Sequence, residues 1–166
     1  KQQVFNARVW HDFAESSQIR WQFNYTHSPY AYDSGGITID MVEDNRTQAR
    51  PQNESFQTYE TVNHLKTGIQ WVKKINEKFN WESYAFYAHR DFEGRLPFGY
   101  GGIVDLKRNY YGLGSALEYH PYENHQMQLR FSVADQKDQR KRFKNLDGTR
   151  GDNTLDQDEL FFNTAI

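Results

Sequence analysis

Apolar and polar residues alternate most regularly between positions 126 and 136. From Met127 to Val133 every second residue is apolar, namely Met127, Leu129, Phe131 and Val133, and polar or charged residues stand between them. A period of two is typical of a β-strand with one apolar face and one polar face. The stretch around Trp21 and Phe23 has the same pattern. We therefore predict that both stretches are strands of a sheet with one apolar face.

The same alternation, interrupted by turn residues, predicts about seven strands and no helix that could cover them. The predicted strands are residues 3–11, 17–26, 58–74, 78–91, 103–119, 126–136 and 158–166. A tilted strand needs ~9–11 residues to cross a bilayer, whereas strands of soluble proteins are mostly ~5–6 residues long. The predicted lengths favour strands that cross a membrane.

The links between the predicted strands alternate in length. Those after the first, third and fifth strands are short, and those after the second, fourth and sixth are long and polar, at residues 28–57, 93–102 and 138–156. In an up-and-down antiparallel sheet, alternate links lie at opposite ends of the strands. Short turns at one end and long loops at the other are typical of outer-membrane barrels.

These patterns favour an all-β fold, an antiparallel up-and-down transmembrane β-barrel segment. An odd strand number is unusual for a bacterial barrel, and the chain begins and ends in strand-like stretches. We therefore expect an open curved sheet that is part of a larger barrel. Its convex face is expected to contact lipid through side chains that include Trp21, Phe23, Leu129, Phe131 and Val133.

Composition argues against several classes of function. The formal net charge of −2 is not that of a general nucleic-acid binder. The chain has no cysteine, which excludes a disulfide scaffold, a thiolate metal site and a cysteine nucleophile. The six histidines show no ligand spacing, and no nucleophile elbow, phosphate-binding loop or dinucleotide motif is present. We therefore expect no enzymatic activity, no cofactor and no metal site.

Four stretches, in order along the chain, resemble the N-terminal part of the barrel of a TonB-dependent outer-membrane receptor of the ferric-siderophore type. They are residues 28–38 with S-P and D-S-G-G-I-T, residues 48–60 with Q-A-R-P-Q-N and Y-E, residues 108–114 with R-N-Y-Y-G-L-G, and residues 135–159 with Q-K-D-Q-R-K-R-F-K-N and D-Q-D-E. The first resembles the opening of a long extracellular loop, and the second resembles the return into the next strand.

The resemblance implies a 22-strand barrel, closed by an N-terminal plug, in the outer membrane of a Gram-negative bacterium. Residues 1–166 would form part of this barrel, without the plug and without the segment that contacts the TonB complex. The implied partners are a ferric siderophore or similar chelate, the TonB complex through the missing plug, and the lipid and lipopolysaccharide of the outer membrane. We expect that the chain alone cannot transport.

Two of the predicted extracellular loops carry side chains suited to capturing an anionic iron chelate. The candidates are Arg90, Arg95 and Tyr100 in the loop after the fourth strand, and Arg140 and Arg142 in the charged run after the sixth. The plainer interpretation is that both are ordinary solvated loops, whose charges oppose aggregation.

Two other interpretations stay open at this point. A soluble β-sandwich could bind carbohydrate by stacking sugars on surface tryptophan and tyrosine side chains. An outer-membrane enzyme or a porin would also use long amphipathic strands. A sandwich requires the apolar side chains of residues 126–136 to be buried between two sheets, whereas a barrel segment places them on an exposed convex face.

Overall fold

A computed structural model describes every residue from Lys1 to Ile166 and contains one sheet of seven strands. Each strand pairs with the next one along the chain, and every pair is antiparallel. The predicted all-β, up-and-down, open sheet is confirmed. The strands are β1 (Gln3–Ala14), β2 (Ser17–Tyr32), β3 (Tyr59–Lys74), β4 (Phe79–Arg95), β5 (Ile103–Tyr122), β6 (His125–Leu146) and β7 (Thr149–Ala165).

The connections lie at two ends of the sheet that differ in structure. At the turn end, β1–β2, β3–β4 and β5–β6 are joined through residues 15–16, 75–78 and 123–124. At the loop end, residues 33–58 join β2 to β3 and residues 96–102 join β4 to β5. The longer of these loops contains two short helices, α1 (Ile39–Asn45) and α2 (Pro51–Ser55). No helix is long and apolar enough to cross a membrane.

The third connection at the loop end differs from its prediction. Residues 138–156 form no long loop, because β6 continues to Leu146 and β7 begins at Thr149. Asp147 and Gly148 make a two-residue turn, and both have positive φ, at 47° and 86°. This Asp-Gly turn suits the right-handed twist of a hairpin. The alternation of apolar residues missed the extension because residues 137–142 are all charged or polar, whichever face they occupy.

Backbone pairing, and not a packed interior, holds this fold together. Only 12 of 166 residues are buried, and Ile103 and Ala116 are the larger apolar ones. By contrast, 97 of the 113 backbone hydrogen bonds lie within helices and strands. The β-sandwich alternative is wrong for this fold, because no second sheet is present and Leu129 is 67% exposed.

One face of the sheet carries an apolar band that crosses all seven strands, and we call it the outer face. Directly paired residues share a face, so the register places Val9 beside Trp21, Trp21 beside Ile69, and Leu113 beside Val133. All five side chains predicted to face lipid lie in this band, namely Trp21, Phe23, Leu129, Phe131 and Val133. The opposite, inner face encloses a concave space of about 1000 Å³, so the outer face is convex.

Polar groups within the apolar band mostly pair with one another. The indole N–H of Trp81 donates to Ser115 Oγ at 2.6 Å, and Ser115 is also hydrogen-bonded to Ser83. The indole N–H of Trp21 donates to Thr67 Oγ1 at 3.0 Å. Trp71 Nε1, in contrast, is buried without a partner. Internal pairing of this kind removes most of the cost of placing polar atoms in an apolar medium.

Aromatic rings on the inner face pack directly on glycine. A Cβ atom added at Gly112 would lie 2.7 Å from Val133 O and 2.8 Å from the ring of Phe86, and one added at Gly114 would meet the ring of Tyr84. The two rings therefore fit only because β5 has no side chains at these positions.

We predict that Gly112→Ala destabilises the sheet by about 1–3 kcal/mol, the usual cost of overpacking. The added methyl group meets a backbone oxygen, which cannot move without disturbing the β5–β6 pairing. Denaturant unfolding of the refolded protein measures this difference. Gly36→Ala is the control, because a Cβ there has no atom within 4 Å. Equal stability of the two variants would contradict the packing described above.

Candidate functional site

A row of ionisable residues crosses the inner face from β3 to β7. His64 pairs with Arg90, Arg90 with Arg108, Arg108 with Asp138, and Asp138 with Glu159. Side chains that are directly opposite in an antiparallel pair lie about 4.5–5.5 Å apart at Cβ. The register alone therefore brings two arginines together, and a like-charged pair of this kind is unfavourable unless something compensates it.

Asp138 compensates one of these two arginines. Arg108 Nε donates to Asp138 Oδ1 at 2.8 Å, and Arg108 Nη2 donates to Asp138 Oδ2. Gln136 Nε2 donates to the same carboxylate at 3.2 Å. Asp138 is buried, whereas the Arg108 side chain is 38% exposed, so the carboxylate side of this bidentate pair is the one shielded from water. Bidentate pairs of arginine and carboxylate are among the stronger ionic contacts in proteins. Arg108 thus has its charge balanced within the sheet.

Arg90 has no such partner. Its guanidinium lies over the ring of Phe92, with Cζ 5.2 Å from the ring centroid, and its Nε is buried without a hydrogen bond. No salt bridge involves Arg90, and its paired neighbours on either side are His64 and Arg108. A partly desolvated cation without a counter-ion attracts anions.

The whole concave space shares this positive character. The residues that line it include five cations and not one aspartate or glutamate; the cations are Arg8, Arg20, Lys66, Arg90 and Arg108. The chain as a whole carries a formal charge of −2. The register therefore concentrates cations in this part of the inner face, and a concave surface of one sign focuses its field on ligands of the opposite sign.

The structure brings three of the five predicted ligand-contact residues to this face. Arg90 lines the concave space, and Arg140 and Arg142 lie further toward the loop end on the inner face, paired with Leu106 and Val104. Neither Arg140 nor Arg142 forms a salt bridge, and Arg140 Nε is buried without a partner. All three belong to strands; Arg140 and Arg142 were predicted in a loop, and Arg90 was predicted at the end of the fourth strand, where the loop begins.

The other two predicted residues lie elsewhere. Tyr100 is exposed in the 96–102 loop and does not line the concave space. Arg95 lies on the outer face, where its Nε donates to Glu93 Oε1 at 3.1 Å and its guanidinium covers the ring of Tyr59. Its charge is thus already compensated. Sequence reasoning did not select Lys66 or Arg8, although their positions in the alternating pattern would have placed them on the inner face.

Arg95 belongs to an ionic network on the outer face, well beyond the apolar band toward the loop end. Arg150 donates to Glu93 Oε2 and Asp105 Oδ2, both at 2.8 Å, and Tyr59 Oη donates to Glu93 Oε1 at 2.7 Å. Burial acts to raise the pKa of Glu93, but the hydrogen bonds from Tyr59 and Arg95 and the charge of Arg150 hold this pKa below its usual value. Burial and the bond to Glu93 raise the pKa of Tyr59 to about 12.

Asn145 joins all three loop-end connections. Its Nδ2 donates to Phe56 O at 2.9 Å and to Leu96 O at 3.2 Å, and its Oδ1 accepts from Gly148 N at 2.8 Å. Its backbone N–H donates to Gly99 O at 2.7 Å. The side chain is 1% exposed. Asn145 therefore contacts all three connections at once, whereas the bonds from Gln52 to Pro97 O and from Ser55 to Asp147 each join only two of them.

No protein-family model matches this sequence, and no curated protein is significantly similar to it. The family resemblance of the four stretches stays a prediction.

We predict that Asn145→Ala lowers the free energy of unfolding by about 2–4 kcal/mol, because it leaves several buried backbone groups without partners. Denaturant unfolding measures the loss, and amide hydrogen exchange shows whether residues 96–102 are released. Asn6→Ala is the control, since Asn6 bonds only to the exposed Asn24 side chain, and a change within about 0.5 kcal/mol is expected there. An effect of Asn145→Ala as small as that of the control would contradict the fastening role.

Proposed function

We propose that this chain is part of the barrel wall of a TonB-dependent outer-membrane receptor, which takes up ferric siderophores or similar anionic iron chelates. The observation that carries the proposal is the opposite chemistry of the two faces. The convex outer face has a continuous apolar band, whereas the residues that line the concave space on the inner face include five cations and no carboxylate; Asp138, beside this space, balances Arg108 alone. An outer-membrane barrel has an apolar outer band and a polar interior, and an anionic chelate requires a cationic binding surface.

The slope of the apolar band supports a membrane position. On β2 and β3 the band reaches Tyr25 and Leu65, which pair directly with each other. The same cross-strand row continues through His89 and Asn109 to Lys137, which are polar. From β4 to β6 the band thus shifts toward the turn end, where Phe79, Tyr119 and Met127 continue it, whereas on β7 it again includes Leu160, the partner of Lys137. Strands that are tilted across a level lipid layer require such a shift.

The two ends of the sheet also suit this proposal. Connections at the turn end have two to four residues, whereas the loop end carries the 33–58 and 96–102 loops and a long hairpin. Short turns toward the periplasm and long elements toward the outside are typical of outer-membrane barrels. Ligand capture is accordingly assigned to the loop end and to the inner face below it.

Adjacent residues on β6 provide the test of membrane position. Leu129 lies on the outer face, and Gln128 lies on the inner face, where its amide donates to Glu118. We expect Leu129→Arg to reduce folding stability in phospholipid bilayers by about 2 kcal/mol, within the range for an arginine in a barrel's lipid face. Gln128→Arg should have little effect, because its side chain does not meet lipid.

Stability is measured by denaturant unfolding in vesicles and followed by tryptophan fluorescence. Equal losses in Leu129→Arg and Gln128→Arg would remove the argument for a lipid-facing outer surface. Cooperative unfolding of a monomer in buffer without detergent or lipid would also contradict the membrane position.

The inner-face cations provide the test of ligand class. The probe is the trianionic tris-catecholate complex of iron(III), titrated into the refolded chain in detergent micelles. We expect Arg90→Gln to weaken its binding roughly tenfold, about 1.4 kcal/mol, which is typical of a lost charge-assisted hydrogen bond. Added salt should weaken binding to the native chain as well.

Lys78→Gln is the matched control, because Lys78 is an exposed cation in a turn at the opposite end of the sheet. If Arg90→Gln and Lys78→Gln bind the complex equally well, the inner-face cations are not its binding surface. If the native chain does not bind the complex at all, the proposal that this part of the barrel wall binds anionic iron chelates is overturned.

A further inference from the structure

A second recess lies on the outer face at the loop end, away from the cationic concave space. It has a volume of about 740 Å³ and is lined on one side by Tyr30, Tyr32 and Tyr59; we call it the tyrosine recess. Tyr32 pairs directly with Tyr59, and Tyr59 pairs with Arg95, so all these side chains belong to the outer face. None of the inner-face cations lines this recess.

The three rings form an ordered aromatic surface. The rings of Tyr30 and Tyr32 are nearly parallel, with centroids 5.8 Å apart and an angle of 11° between their planes. Tyr59 meets Tyr30 edge to face, with centroids 5.2 Å apart. Tyr32 is 80% exposed, so a large apolar ring surface faces water here. An exposed aromatic surface beside a cavity is typical of a ligand-binding site.

The recess is held in shape by contacts behind the rings. Tyr59 is fixed by its hydrogen bond to Glu93 and by the guanidinium of Arg95, 4.7 Å from its ring centroid. In the floor, Asp33 O accepts from Thr58 Oγ1 at 2.6 Å and from Asn53 Nδ2 at 3.2 Å. A ligand would therefore meet a preformed surface and would not have to order it on binding.

The polar groups at the rim decide the class of ligand. Ser34, Glu54 and Gln57 line the recess, and their side chains form no hydrogen bond to other residues that line it. The one cation of the lining, Arg95, is engaged by Glu93 and by Gly148 O, whereas Asp33 and Glu54 add negative charge. Phosphates and anionic iron chelates are therefore disfavoured. Hydroxyl-rich ligands with an apolar face fit both the rings and the rim.

We propose that the tyrosine recess binds a neutral saccharide unit, with a sugar ring against Tyr30 and Tyr32 and its hydroxyls bonded at the polar rim. Tyr59 lies six residues beyond Leu65, which ends the apolar band on β3, and six residues of strand span about 20 Å. If the apolar band lies in the outer membrane, as in the proposed function, a recess about 20 Å beyond the end of the band lies beside the sugars of outer-leaflet glycolipid. The glycolipid as the source of the saccharide rests on the proposed function. Binding of a free oligosaccharide in the same recess does not depend on a membrane position.

The experiment is isothermal titration of the full refolded chain in detergent micelles with two probes. One is lipid-free core oligosaccharide, released from lipopolysaccharide by mild acid and then dephosphorylated so that its outer hexoses are presented without the anionic phosphates, and the other is maltohexaose. We expect Tyr32→Ala to weaken binding roughly tenfold, a loss that stacking on an aromatic ring can explain. Tyr32→Phe should bind like the native chain, because the ring remains, and it also shows that the site tolerates substitution.

Tyr122→Ala is the matched control, since Tyr122 is 74% exposed but lies at the turn end. Binding of the core oligosaccharide alone identifies the glycolipid as the source, and binding of maltohexaose alone identifies a free oligosaccharide. The proposal is overturned if the native chain binds neither probe or if Tyr32→Ala binds as well as Tyr122→Ala. These results are independent of Arg90→Gln and the iron complex, so this proposal and the proposed function can fail separately.

Discussion

The backbone hydrogen-bond ladder is the interaction on which the rest of this structure depends. Seven strands are paired only with their sequence neighbours, and no second layer covers either face. A strand without a covering layer exposes every side chain on one of two surfaces, and the period of two decides which. Each strand therefore contributes side chains to both the outer and the inner face, as Leu129 and Arg130 do at adjacent positions of β6.

The same constraint explains which parts of the fold could be predicted from the sequence. Where one face is apolar and the other polar, as in residues 126–136, alternation is visible and the strand was predicted. From Lys137 to Arg142 every residue of β6 is polar or charged on both faces, so the sequence shows no alternation there and a loop was predicted. The Asp147–Gly148 dipeptide was the local signal for a hairpin. The prediction of a loop rested on the charge of the run around this dipeptide and did not use the signal.

The candidate site was harder to predict, for a related reason. Its residues come from several strands, and only the cross-strand register brings them together. The sequence identifies Arg90, Arg140 and Arg142 as cations, but it cannot tell that Arg108 is balanced by Asp138 while Arg90 has no counter-ion. It also cannot tell that Arg95, near Arg90 in sequence, is held on the opposite face by Glu93. Charge compensation depends on pairing, and pairing is not local.

Cations on the two faces of the sheet differ in charge compensation, and this difference relates the fold to the proposed binding of an anion. On the outer face, Arg95 and Arg150 are bound by Glu93 and Asp105, so their charges stabilise the loop end and attract little else. On the inner face, Arg90 stays uncompensated, although a carboxylate at any neighbouring inner-face position would neutralise it. Leaving a partly buried cation without a partner costs stability. That cost is understandable if the cation serves to attract an anion, and the hydrogen-bond ladder, which does not depend on side chains, lets the sheet tolerate it.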